Sequence, residues 1–222
     1  LREATSTNHR EAERRPFMRR FFRGEIDREP YTAYLTRLWF VYSALEDVGQ
    51  ELSRDAVIGS MWQPELARRE RLERDLACFA GADWQAAAQP SPVAQAYVDR
   101  IRWAGHEAPP AWISHAWVRY LGMLGGQETL RKLVVKGCGV TDLGGDDGLD
   151  FYRFPEVPDI KTFFADYHAR LGALSLSEHA AQQVIDEGNR AFQFNMDITD
   201  EVAADFGIEA PAGAADELER LK

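Results

Sequence analysis

Cysteine is scarce in this chain of 222 residues, which has two, Cys78 and Cys138. That excludes a disulfide framework and any CxxC metal or redox pair. Long apolar runs are missing as well: nothing approaches the roughly 20 consecutive residues that span a bilayer. The opening residues, LREATSTNHR, are polar and charged, so no secretory segment is expected. Positive charge is in deficit, with 26 Lys plus Arg against 36 Asp plus Glu and a net charge of −10. This balance argues against a general nucleic-acid binder, whose affinity comes from a basic face. It also argues against the basic surface of a peripheral membrane protein. HExxH, GxSxG, P-loop and GxGxxG signatures are absent, which removes most hydrolase, nucleotide and dinucleotide chemistry. The expectation is an acidic globular protein of a reducing compartment, most simply cytoplasmic, with no nucleic-acid or membrane partner.

Period-two alternation is missing too, so no sheet is expected. Apolar residues instead recur in steps of three and four. One stripe runs Leu35, Leu38, Trp39, Tyr42, Leu45, Val48, Leu52. Others run Ile160, Phe163, Phe164, Tyr167, Leu171 and Ala181, Val184, Ile185, Gly188, Phe192, Asn195, Met196, Thr199, Val202. Each is the buried face of a helix. Trp112 to Lys136 reads as a further helix. Gly/Pro clusters at 81–92, 105–110 and 137–148 punctuate the chain, and Asp159 is a plausible N-cap. This reading gives an all-α single domain over 1–207, with about seven to nine helices, followed by a polar C-terminal tail at 208–222.

Among residues able to carry chemistry, His9 has Glu13 one helical turn on, which puts both on one face. An imidazole binding a metal through one nitrogen needs an acceptor for its other N–H, and a carboxylate can supply it. A surface His–Glu pair is the commoner reading of that spacing. Gly122, Gly125 and Gly126 lie inside an otherwise helical pattern, at a cost of about 1 kcal/mol each relative to Ala. Either a flat ligand approaches their bare backbone closely, or they serve helix packing or a break between two helices. Arg2, Trp117 and His168 suit an anionic ligand or are ordinary rim residues. Tyr42 and Arg119 read alone as a core tyrosine and an ion-paired arginine, and Asn195 as a satisfied core amide. Five arginines between Arg14 and Arg23 form the densest positive patch on an acidic protein, suited to docking an acidic partner.

Several segments, in order, resemble the haem oxygenase family: LREATSTNHREAE followed by FMRRFFRG, LWFVYSALE at 38–46, PELARRERLERDLACFAG at 64–81, PVAQAYVDRI at 92–101, HAWVRYLGMLGGQ from 115, GLDFYRFPEVPD, ARLGAL and VIDEGNRAFQFNMDI at 184–198. The resemblance covers about 1–205. It implies an all-α fold with haem sandwiched between the first helix and a kinked distal helix. The implied reaction is opening of haem, which is cofactor and substrate at once, by O2 and electrons to biliverdin, CO and Fe2+. His9 would be the proximal iron ligand with Glu13 beside it. Gly122, Gly125 and Gly126 would form the distal wall, and Tyr42 and Arg119 the distal hydrogen-bond network. Met18, Phe192 and Asn195 would line the pocket. Arg2, Trp117 and His168 would face the propionates. The absence of flavin or nicotinamide motifs implies a separate electron donor protein, a ferredoxin or a flavin reductase.

The sequence departs from the family pattern in three ways. Met123 stands where the family has Asp, and Met can neither relay a proton nor donate a hydrogen bond. The motif lacks one residue between Leu124 and Gly125, which in a regular helix rotates the downstream residues by about 100°. Phe164, His168 and Trp117 replace the usual lysine, arginine and tyrosine near the propionates. These departures keep open a second reading, a haem-binding sensor or carrier that does not degrade haem. A di-iron oxidase would need several inward Glu or His ligands at helical spacing, where this chain has Tyr42, Asn195, glycines and aromatics.

Overall fold

The structure, a computed structural model, describes residues 1–145 and 147–211, and among these there are ten α-helices and no strand. They are α1 (Ser6–Glu13), α2 (Pro16–Phe22), α3 (Arg28–Glu51), α4 (Ile58–Met61), α5 (Arg69–Ala80), α6 (Trp84–Ala87), α7 (Pro92–Glu107), α8 (Pro109–Cys138), α9 (Ile160–Ala173) and α10 (Glu178–Asp205). Two 3₁₀ turns, Pro64–Leu66 and Asp150–Tyr152, complete the set. The count exceeds the seven to nine expected from punctuation because α4 and α6 are single turns, too short to carry a period. Helix starts follow local chemistry. Proline opens α2, α7 and α8, where its missing N–H costs nothing. Ser91 and Ser177 accept from the N–H groups of Ala94 and Ala180 at 3.2 Å. Asp159 caps α9 as expected, accepting from the Thr162 N–H at 3.0 Å.

The α3 stripe is buried from Tyr31 through Leu35, Leu38, Tyr42 and Leu45 to Val48. It packs against α7 and α5. The first half of α8 is covered on every side: Ala111 through Ala116 are all buried. An apolar helix without a polar face belongs at the centre of a fold.

Three polar rungs join α8 to its main partner, α10. Ser114 Oγ donates to the Val184 carbonyl at 2.5 Å. His115 Nε2 meets Glu187 Oε2 at 3.1 Å. Arg119 Nη1 donates to Asn195 Oδ1 at 2.6 Å. The rungs ascend together in sequence, so the two helices run in the same direction. Glu187 is also gripped by the Arg100 fork from α7. Burial works against its charge, but His115 and Arg100 outweigh that and hold the carboxyl down at about 2.

Beyond α10 the chain does not go straight into a tail. Gly207 adopts φ 61°, and the Ile208 N–H returns to the Ala203 carbonyl at 2.8 Å. This is a Schellman closure, which needs the left-handed conformation that glycine takes without strain. Arg20 then holds the Glu209 carbonyl at 2.9 Å, and Pro211 is buried. The tail expected at 208–222 is therefore tied to the domain at its start, through Ile208, the Glu209 carbonyl and Pro211. Its residues 212–222 lie outside the described residues.

Asp75 on α5 is buried and accepts the N–H groups of Asp150 and Phe151, each at 2.8 Å. Burial pushes its carboxyl up to about 7 against the pull of those two donors. A group raised in the folded state favours folding at low pH, and that contribution is lost as pH rises through about 7. Asp75→Asn should therefore remove a downward component from the stability profile between pH 4 and 7. Urea unfolding across that range checks this, and a variant profile parallel to wild type would contradict it.

Candidate functional site

Three helices meet at a small apolar patch away from the main core. Val118 and Trp117 come from α8, Ala191 and Phe192 from α10, and Ala12 from α1. On the α1 side, the His9 ring stands edge-on to Phe192 with centroids 5.5 Å apart. Its Nδ1 lies 3.5 Å from Glu13 Oε1, as the one-turn spacing predicts. The imidazole is half exposed, and Nε2 is the nitrogen left for a ligand.

On the α8 side, Gly122 follows Val118 by one turn and Gly125 by two, so all three share a face. Gly122 and Gly125 are exposed although their neighbours Leu121, Met123 and Leu124 are buried. A Cβ placed on Gly122 would meet nothing within 4 Å. On Gly125 it would meet the Phe164 ring at 3.6 Å, and on Gly126 the Leu130 side chain at 3.3 Å. The glycines thus do not relieve crowding between helices: at Gly122 the backbone lies bare beside open space. Nor do they split the helix, since α8 is helical throughout Pro109–Cys138.

Behind the glycine face lies a buried polar group. Tyr42 of α3 donates its hydroxyl to the Arg119 carbonyl at 2.9 Å. Burial pushes that phenol up to about 12. The Arg119 guanidinium lies 5.0 Å from the Tyr42 ring centre, so the arginine is held by a π face and the Asn195 amide, not by the carboxylate expected of an ion pair. Met123 is buried, with its sulfur 4.0 Å from the Tyr42 hydroxyl. It therefore faces the tyrosine, while Gly122 faces open space and Gly125 faces the Phe164 ring.

Arg119 Nε and Trp117 Nε1 are among the buried side-chain donors that have no protein partner among the described residues. Buried donors are normally satisfied, so these two are open to an acceptor that the chain does not supply. A flat ligand with acceptor atoms, approached by an imidazole on one side and bare backbone on the other, fits this donor set.

The structure thus joins His9, Glu13, Phe192 and Trp117 around one patch, and Tyr42, Arg119, Met123 and Asn195 in another. Arg2, Met18 and His168 stand apart. Arg2 and His168 are exposed, the latter stacked on Phe164 at 6.1 Å, and Met18 packs half-buried on the main core. Sequence reading passed over Glu187 and Ser114, which fix α8 against α10. The signal for Glu187 was a carboxylate one residue off an apolar stripe.

The chain matches the family model described as heme oxygenase over residues 1–201. The heme oxygenase of Rhodella violacea is 34% identical over 206 residues, 93% of this chain and 86% of that relative. Heme oxygenase 1 of Synechocystis is 33% identical, over 91% of this chain and 82% of the relative. A crystal structure of the Synechocystis enzyme in complex with heme superposes with a TM-score of 0.86 at 32% identity, covering 93% and 94% of the two chains. The heme oxygenase of Leptospira interrogans gives 0.86 at 32% identity, covering 90% and 97%. A family match across almost the whole domain, with likeness in sequence and in backbone alike, places this chain in the heme oxygenase family.

Proposed function

We propose that this protein cleaves haem, its substrate and cofactor, with O2 and donated electrons to biliverdin, CO and Fe2+. The observation that carries the reading is His9 standing on Phe192 at the patch that Val118 shares, with Gly122 one turn beyond Val118 bare beside open space. Bound haem supplies the iron at which O2 is activated. The chain's own residues supply position and hydrogen bonds. His9 Nε2 would hold the iron, with Glu13 beside Nδ1 to orient the ring. Gly122, Gly125 and Gly126 admit the flat face. Phe192 covers the edge beside His9. Arg119 Nε and Trp117 Nε1 would donate to ligand acceptors, and the exposed Arg2 and His168 would meet the carboxylates from solvent. Asn195 fixes Arg119, and Tyr42 fixes the backbone beneath it. The free thiols of Cys78 and Cys138 suit a cytoplasmic setting.

Replacing His9 with Ala tests the ligand directly. The variant's haem complex should lose the wild-type ferric and ferrous-CO spectra and regain them with added imidazole. An unchanged spectrum would remove His9 from the role.

Met123 favours a second reading, because a buried thioether against Tyr42 offers no proton where the family has a carboxylate. General acid–base help is worth roughly 10²–10⁴-fold, so partial replacement by Arg119 Nε and ordered water leaves a slow enzyme. Wild type supplied with ascorbate and catalase should release a bilin, and faster release by Met123→Asp would mean that a side chain at 123 reaches the open face. Wild type that binds haem but yields no bilin would make it a haem-binding protein instead.

The electron donor is a separate protein, a ferredoxin or a flavin reductase. Arg15, Arg19, Arg20 and Arg23 concentrate positive charge on and beside α2, directly after the helix that carries His9. Opposite charge across such a face raises encounter rates and makes them salt-dependent. Arg19→Glu with Arg23→Glu should raise the KM for the donor several-fold and flatten its salt dependence, with haem affinity unchanged. An unaltered donor KM and salt profile would exclude this face.

A further inference from the structure

The helix that carries His9 is weakly anchored, for none of the eight residues of α1 is buried. Its seat is one ridge of α10. Leu1 and Thr5, just before α1, press on Gly188, where a Cβ would come within 2.8 and 3.0 Å of their side chains. His9 meets Phe192 and Ala12 joins the same patch. Arg15, just after α1, reaches Asp200 at 3.2 Å and the Met196 sulfur at 3.3 Å. These contacts step along α10 at 188, 192, 196 and 200, one turn apart. Most are apolar or long-armed, and such contacts let a helix roll about its axis.

Within α1 one contact has direction. Asn8 Nδ2 donates to Asn189 Oδ1 at 2.9 Å and lies 3.5 Å from the Asn189 carbonyl, joining α1 to α10. The Asn189 amide cannot turn freely, because its own Nδ2 donates to the Ile185 carbonyl at 3.2 Å and so aims Oδ1 at α1. Both amides are short, so the bond leaves α1 little room to roll. Asn8 immediately precedes His9, and adjacent residues are separated by about 100° around a helix. Fixing the azimuth of Asn8 therefore fixes that of the imidazole.

We propose that Asn8 and Asn189 are a positioning pair that sets the rotation of α1 and so aims His9 at the haem iron; this rests on His9 being the ligand. A neutral hydrogen bond contributes about 1 kcal/mol, so its loss should speed haem release about fivefold. The test uses the full chain loaded with haem, with release to an excess of a haem-scavenging protein and the ferrous iron–histidine stretching band as readouts. Asn8→Ala and Asn189→Ala should each speed release about fivefold and shift or broaden the band, and the double variant should do no more than either alone. Helix content should stay constant throughout. Unchanged release and band in Asn189→Ala would overturn the proposal, as would a lowered melting temperature with an unchanged band. His9→Ala run in parallel separates the two claims: if it keeps the wild-type band, the ligand assignment itself has failed.

Discussion

Glu187 is the charge on which the arrangement of the long helices depends. It lies almost fully buried between α7, α8 and α10, with Arg100 on one side and His115 on the other. Burial lowers the His115 imidazole against the pull of Glu187, with Nε2 3.1 Å from the carboxylate, while Nδ1 has no protein partner among the described residues. A buried charge left alone costs several kcal/mol, roughly 3–5 when one partner is removed. That penalty works as a register lock. Sliding α8 past α10 by one residue would separate His115 from Glu187, Ser114 from the Val184 carbonyl and Arg119 from Asn195 together. The site inherits this register, because Arg119, Gly122 and Gly125 lie further along the same helix.

The same lock explains why α8 tolerates its glycines. Helix interiors lose about 1 kcal/mol for each Gly relative to Ala, and here three fall within one short stretch, at 122, 125 and 126. The helix is already fixed by complete burial from Ala111 to Ala116 and by the polar rungs, so the glycine stretch has a rigid base. Rigidity N-terminal to the glycines and bare backbone at them are complementary requirements for a slot that receives a flat molecule. On the opposite wall the arrangement is reversed. α1 has no buried residue and takes its position from α10. One wall is a core helix, and the other is a short helix seated on a core helix.

Much of this was legible in the sequence. The α3 stripe, the α10 stripe and the Asp159 cap follow from helical spacing and local capping chemistry. Periodicity blurs on α8, because a helix buried on all sides has no polar face to mark its phase, and its start is marked by Pro109 and Pro110 and not by a stripe. The single-turn helices α4 and α6 lie below the length at which a period exists. His9 with Glu13 was visible because one turn joins them. Asn8 with Asn189 was not, since 181 residues separate the partners and neither belongs to a pattern. Glu187 was hidden for the same reason. Nothing in a local window shows that a carboxylate beside an apolar stripe will meet an arginine and a histidine from two other helices.

The hydrogen-bond accounting around Met123 sets what the site can do with a proton. Tyr42 and Arg119 both carry donors. The tyrosine, however, has one hydrogen, and it points at the Arg119 carbonyl. Arg119 directs Nη1 to Asn195, and its Nε is buried without a protein partner among the described residues. Met123 covers the tyrosine oxygen with sulfur and adds neither donor nor acid. Tyr42 is therefore a strut for the α8 backbone, made more so by burial that keeps its phenol protonated to about 12. Arg119 can donate a hydrogen bond but cannot give up its proton, so proton supply is left to solvent that reaches the bare backbone of Gly122, where a Cβ would meet nothing within 4 Å. A carboxylate restored at 123 would meet the Tyr42 hydroxyl first, and would reach the open face only by drawing that hydrogen away from the Arg119 carbonyl.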